Sequence, residues 1–143
     1  MKKQLKQLEE FQKAFNQCHN QEPSLIDKDD FMLRYKLIEE ELEEYKQACF
    51  DRDIVEISDA ITDLLYVVLG TAVSHGIQNV LPDIFQEVHE SNMSKLDDNG
   101  KAIINGLNGV NDKTRPHGKV LKSKNYFEPN INPILQKGYL NLK

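Results

Sequence analysis

A chain of 143 residues with a net charge of −5 and a pI near 5.4 is long enough to bury a real core as one domain, and it lacks the basic balance that nucleic-acid binders show. Its 39% hydrophobic and 29% charged residues fit a soluble globular chain and exclude a disordered one. A nucleotide substrate is not excluded, because a metal can meet its charge.

The N-terminus MKKQLKQLEEF carries lysines but no apolar run or small-residue cleavage site, so no signal peptide is expected. The first helix is predicted from about Lys2 to Gln17, with Leu5, Leu8, Phe11 or Gln12, and Phe15 at helical spacing. Phe11 and Phe15, with Tyr66 further on, are read as core. NQEPS then breaks the pattern. A second helix is predicted from Asp27 or Asp29 to about Phe50, with Ile38, Leu42, Tyr45 and Cys49 as its apolar stripe.

DRD makes a tight link to a third helix, Ile54 to Ser74. Ile57, Ile61, Leu64 and Val68 form one stripe there, with Ala60 and Val67 elsewhere on the wheel, so burial on several sides is expected. Its apolar run Leu64 to Val73 is too short to span a bilayer. Gly76 is placed just past its end. A fourth helix is predicted from Val80 to about Leu96, with Pro82 in its first turn.

After Asp97 the chain becomes turn-rich, with KAIIN and KVLK as short strand-like pieces, and it reads as a loose hairpin, an extended tail and a helical turn at NPILQ. The fold class is therefore all-α, a bundle of four to five helices over residues 1–97 with a hairpin and tail, 98–143, packing on the same domain. Cys18 and Cys49 lack the spacing of a disulfide framework or a zinc site, and a reducing, cytoplasmic setting is the default expectation. His19, His75, His89 and His117 share no ligand spacing.

The chemistry lies in the acids. IEEELEEY, Ile38 to Tyr45, holds five carboxylates and no basic residue. On a helix Glu39 faces Glu43 and Glu40 faces Glu44, each like-charged pair costing roughly a few tenths of a kcal/mol. Such runs are usually solvated faces, and Glu39 and Glu43 are read that way. Glu41 and Glu44, however, border the apolar stripe.

On the third helix Glu56, Asp59 and Asp63 point to one side, shared with Ala60 and Val67, so these acids are expected on a buried face. A buried carboxylate needs a partner. Between Arg52 and Lys95 there is no lysine or arginine to supply one. If the two helices fold back on each other, Glu40, Glu41 and Glu44 approach Glu56 and Asp59 in an oxygen-only cage. Hard divalent cations take such ligands, and a set this large suits more than one ion, the arrangement that clamps the attacking and leaving oxygens in phosphoryl chemistry.

EExxE at Glu40 to Glu44, followed by ExxD at Glu56 to Asp59, resembles the signature of the all-α nucleoside triphosphate pyrophosphohydrolases, the MazG-like superfamily. DAITDLLYVVLGTAVSHGI and EVHESNMSKL resemble its phosphoribosyl-ATP pyrophosphohydrolase-like branch, and the likeness is read from Phe11 into the GKVLKSKNYFEPNINPIL tail. The resemblance implies that Glu40, Glu41, Glu44, Glu56 and Asp59 bind Mg²⁺, with Mn²⁺ as a substitute. It also implies hydrolysis of a nucleoside triphosphate, normal or damaged, to monophosphate and pyrophosphate in a homodimer or homotetramer.

Glu41 is assigned to orient or deprotonate the water. Asn92 and Lys95 look like the family's contacts to sugar and phosphate, and Asp63 is a supporting acid or a contact to Asn92 or Lys95. Lys119, Lys122 and Tyr126 are placed to close over the triphosphate, with a solvated loop as the alternative. The longer NGLNGVNDKTRPHGKV departs from the branch's usual short turn. Two other functions stay open: the same chemistry on phosphoribosyl-ATP, and a non-catalytic helical interaction module whose Glu56 and Asp59 face solvent.

Overall fold

A computed structural model describes residues 1–107 and 109–140; the end of the expected tail, 141–143, and residue 108 of its loop lie outside the described residues. Five helices occur among the described residues and no strand: α1 Lys2–Ala14, α2 Lys28–Asp51, α3 Ile54–Ser74, α4 Leu81–Met93 and α5 Asn132–Leu140. The all-α expectation holds. The hairpin forms only as an isolated antiparallel bridge between Ile104 and Val120, and the turn expected at NPILQ extends into α5.

Local chemistry explains the helix limits. Asp27 caps α2 by accepting from the Asp30 N–H at 2.9 Å, and Asp53 caps α3 by accepting from Val55 N–H at 2.9 Å and Glu56 N–H at 3.3 Å. Arg52, at φ +58°, closes α2 in the left-handed region, its N–H directed at the carbonyls of Ala48 and Cys49. Two residues therefore turn the chain from α2 into α3. The two helices pack against each other, and α1 packs against α3.

The chain divides into two compact units, one running to Pro82 and resumed from Leu135, the other spanning Asp83 to Ile134. The first unit's core joins Leu5 and Leu8 of α1 to Leu69, Ala72 and Val73 of α3, with Ile77 and Leu81 packed on it. This core grips the C-terminal part of α3, a helix about 30 Å long at 1.5 Å per residue. The N-terminal part of α3 is left to α2.

Several expected core positions are open. Ile61, Val68, Leu42 and Tyr45 are exposed, so the stripes of α2 and α3 are not buried within one chain. Phe15 is 65% exposed and Tyr66 is exposed, although Phe11 stacks on Phe15 at 4.4 Å and meets Tyr66 edge-on at 5.6 Å. Polar residues take the inside instead. Gln12, 1% exposed, donates to the Gly70 carbonyl at 2.8 Å, and Arg34 donates to Gln17 at 2.7 Å. The linker after α1 follows the end of α3: Ser74 donates to the Cys18 carbonyl, Asn20 to the Ser74 carbonyl and Gln78 to the Asn20 carbonyl.

Burial and a hydrogen bond with Asp30 push the Cys18 thiol up to about 11, while Cys49 is exposed. Because the thiolate is the reactive form, alkylation at pH 8 is expected to be fast at Cys49 and slow at Cys18. Equal rates, read by mass spectrometry, would contradict this packing.

Candidate active site

The α2–α3 hairpin opens a cleft of about 410 Å³ beside its two-residue link. Ala48 and Ala60, 6% and 4% exposed, form its floor, where small side chains allow the two helices to approach closely. Five acids rim it: Glu44 and Asp51 from α2, the cap residue Asp53, and Glu56 and Asp59 from α3. Three of the expected ligands thus share one cleft. Glu40 and Glu41 do not line it.

Glu41 occupies a different environment, half-buried with its Oε2 fully enclosed and without a hydrogen-bond partner. Its own burial, followed by the charges of Glu44, Asp63, Glu40 and Asp59, holds its carboxyl above the ordinary glutamate range. Those named neighbours come from both helices. Glu41 therefore feels carboxylates from both helices, while none of the four is neutralised: the four ion pairs among the described residues involve Glu9, Glu43, Glu128 and Asp98.

Burial of Glu56, Asp59 and Asp63 is overturned, for all three are exposed. Ala60 on that side is buried and Val67 half-buried, but the acids beside them are not. This exposure is what the interaction-module alternative required. Geometry alone leaves that alternative standing.

Gln47, Asp51 and Asp53 escaped the sequence reading. A signal for each was present: Gln47 and Asp51 lie three and seven residues after Glu44 on the same helical face, and Asp53 precedes α3 where a cap residue belongs.

The expected substrate contacts lie in the other unit. Lys95, just past α4, donates to Asn92 Oδ1 at 2.5 Å, and Lys122 Nζ lies 3.9 Å from the centre of the Tyr126 ring. Lys95, Lys119 and Lys122 line a cleft of about 450 Å³ within that unit. Asn92 and Tyr126 are not among its lining residues.

A model of the family described as phosphoribosyl-ATP pyrophosphohydrolase matches residues 8–92. The chain belongs to this family. The pyrophosphohydrolase is therefore a member of the MazG-like all-α superfamily, a hydrolase of phosphoric anhydrides that acts on a nucleotide. Among curated proteins none matches the chain. The matched stretch contains the acids of the cleft together with Glu40, Glu41 and Asp63 but ends at Asn92, so Lys95 and the tail residues of the pyrophosphohydrolase lie outside it.

The carboxylate set of the pyrophosphohydrolase suits a hard divalent cation by its chemistry: oxygen donors only, no basic side chain among them, and one enclosed carboxylate oxygen that nothing satisfies. Yet no three His, Cys, Asp or Glu side chains among the described residues are gathered as a metal site. Carboxylates without a counter-charge repel one another, and a cation would offset that repulsion.

Proposed function

We propose that this chain hydrolyses a nucleoside triphosphate to the monophosphate and pyrophosphate, using Mg²⁺, or Mn²⁺ in its place, held by Glu40, Glu41, Glu44, Glu56 and Asp59. The observation that carries the reading is the enclosed, unpartnered Glu41 Oε2 within a row of carboxylates that no lysine or arginine neutralises. A bound divalent cation supplies charge neutralisation for the phosphates and the acids alike.

The residues perform the remaining work. Glu44, Glu56 and Asp59 define the cleft in which the phosphates would lie, and Glu41 takes the proton from the attacking water. A carboxyl held above its ordinary range is a better base once ionised, which suits that role near neutral pH. The water oxygen joins one phosphorus of the α–β anhydride, and the bridging oxygen leaves with the other phosphorus, giving monophosphate and pyrophosphate. Asp63 supports Glu41 by charge. Asn92, Lys95, Lys122 and Tyr126, which belong to the other unit, are proposed as nucleotide contacts in their own right.

Phosphoribosyl-ATP is the second reading, favoured by the description of the matching family. Both substrates present the same anhydride. Incubation with Mg²⁺ and a panel of normal and damaged nucleoside triphosphates together with phosphoribosyl-ATP is expected to release pyrophosphate from at least one. Orthophosphate as the first product, or no turnover on any member, would defeat the proposal.

Metal binding has its own readout. Because the acids repel one another without a cation, the thermal midpoint is expected to rise steadily with Mg²⁺ concentration, by the linkage between ligand and folded state. A midpoint indifferent to Mg²⁺ would favour the acidic interaction module.

The exposed apolar residues Leu42, Ile61, Leu65 and Val68 on α2 and α3 support a homodimer or homotetramer. Light scattering would then return twice or four times the 16.5 kDa of one chain, and a monomer would refute it. Two free thiols, Cys18 and Cys49, are consistent with a reducing cytoplasmic setting.

A further inference from the structure

Described residues of the segment 105–118 fold around a single side chain. Asn105 is 3% exposed. Its Nδ2 donates to the carbonyls of Asp112 at 2.9 Å, Arg115 at 2.8 Å and Pro116 at 3.1 Å, while its Oδ1 accepts from the Asp112 N–H at 2.7 Å. Its backbone N–H donates to the Lys119 carbonyl and its carbonyl accepts from the Gly118 N–H, both at 2.9 Å. One residue thus ties both ends of the loop and its middle.

The tied loop presents charge. Arg115 joins Lys95, Lys119 and Lys122 around the cleft of about 450 Å³, where Asp112 is the one acid. The Asp112 carboxylate already accepts from the N–H and hydroxyl of Thr114, at 2.9 and 2.7 Å. Arg115 and Lys119 take part in no ion pair among the described residues, and Lys122 has a 3.9 Å contact with Glu128 besides its place over the Tyr126 ring. Four cations converge on one cleft in a chain whose overall charge is −5.

We propose that Arg115 and Lys119, set in place by Asn105, form with Lys95 and Lys122 a metal-independent site for a chain of linked phosphates. A polyphosphate fits because it is compact and multiply negative, and the planar fork of Arg115 can give two parallel hydrogen bonds to phosphate oxygens. The ligand is a nucleotide's triphosphate or free pyrophosphate. This deepens the pyrophosphohydrolase reading, since both belong to that reaction; it shares Lys95 and Lys122 with that reading, adds Arg115 and Lys119, and uses none of the acids. The acidic cleft can attract phosphate only through a cation, whereas this one attracts it directly.

Titration calorimetry of the full chain in EDTA separates the two. Pyrophosphate and a nucleoside triphosphate are expected to bind, and the nucleoside monophosphate to bind far more weakly; tighter binding of the triphosphate than of pyrophosphate would mark substrate as the ligand, and the reverse would mark product. The double variant Arg115→Gln with Lys119→Gln should lose about tenfold or more in pyrophosphate affinity, the scale of lost hydrogen bonds to charged groups. Arg115→Lys should recover only part of the loss from Arg115→Gln. Both side chains are exposed, and an unchanged amide fingerprint would verify the fold.

Absence of pyrophosphate binding by the wild type in EDTA would overturn the proposal, as would equal binding by the double variant. Equal affinity for sulfate would show unspecific charge and overturn it too. A protein that releases pyrophosphate with Mg²⁺ yet binds none in EDTA refutes this site alone; one that binds it in EDTA but hydrolyses nothing refutes the catalytic reading alone.

Discussion

Replacement of Glu41 by Gln is expected to lower pyrophosphate release by about 10²- to 10⁴-fold, the usual worth of a positioned general base. Gln keeps the shape of the side chain and removes its capacity to take a proton and to bind a cation. The accompanying change in stability distinguishes this loss from a folding defect. In the metal-free protein Glu41 is held above the ordinary glutamate value of 4.5 by burial and by Glu44, Asp63, Glu40 and Asp59.

The direction of that shift determines the sign. A carboxyl whose folded-state pKa is raised retains its proton in the fold at pH values where the unfolded chain has released it. Its contribution to stability is present below the unfolded value and is lost as pH rises through the folded one. Wherever it is ionised, wild-type Glu41 is therefore an unfavourable charge in the absence of metal, and Glu41→Gln should melt no lower than wild type. Mg²⁺ should raise the wild-type midpoint more than that of the variant. A variant that melts lower without metal, or that retains wild-type turnover, would remove Glu41 from the centre of the mechanism.

Gly76→Ala is expected to destabilise the fold by about 3 kcal/mol or more, from a strained backbone and a direct overlap acting together. Gly76 has φ +70°, and a Cβ there would fall 2.0 Å from the Glu22 carbonyl oxygen and 2.5 Å from its carbon. Both obstructing atoms are backbone and cannot rotate away. To admit the methyl group, the linker around Glu22 must leave the end of α3, which puts at risk the bonds from Ser24 N–H to the His75 carbonyl and from Asn20 N–H to the Val73 carbonyl.

Gly100 provides the comparison, with nearly the same φ, +69°, and nothing within 4 Å of an added Cβ. Gly100→Ala carries the backbone term alone, about 1 kcal/mol. Chemical denaturation of the two variants therefore isolates the overlap. Equal losses at the two positions would show that the 17–24 linker does not pack on α3 as described.

The limits of α2 and α3 were readable because they are set locally. Asp27 and Asp53 lie where capping carboxylates meet free N–H groups, and Gly76 supplies the left-handed residue after α3. The acids were readable for the same reason, since helical spacing alone places Glu40, Glu41 and Glu44, or Glu56, Asp59 and Asp63, on a shared side.

Which surfaces meet is a different kind of fact. Apolar spacing put Ile61, Val68 and Leu42 inside, but α1 reaches only the C-terminal part of α3, so these residues stay open while Gln12 and Arg34 are enclosed. For the same reason the row of acids is mostly exposed, and within that row it is a Glu41 oxygen that is enclosed without a partner. The order of the loop after Asn105 is not visible in the sequence, because no periodicity reveals that one amide will bind carbonyls seven to eleven residues away. Helix formation and capping are settled within a few residues and so are written in the order of the sequence. Burial, charge compensation and loop closure depend on groups distant along the chain, and only the assembled tertiary structure decided them.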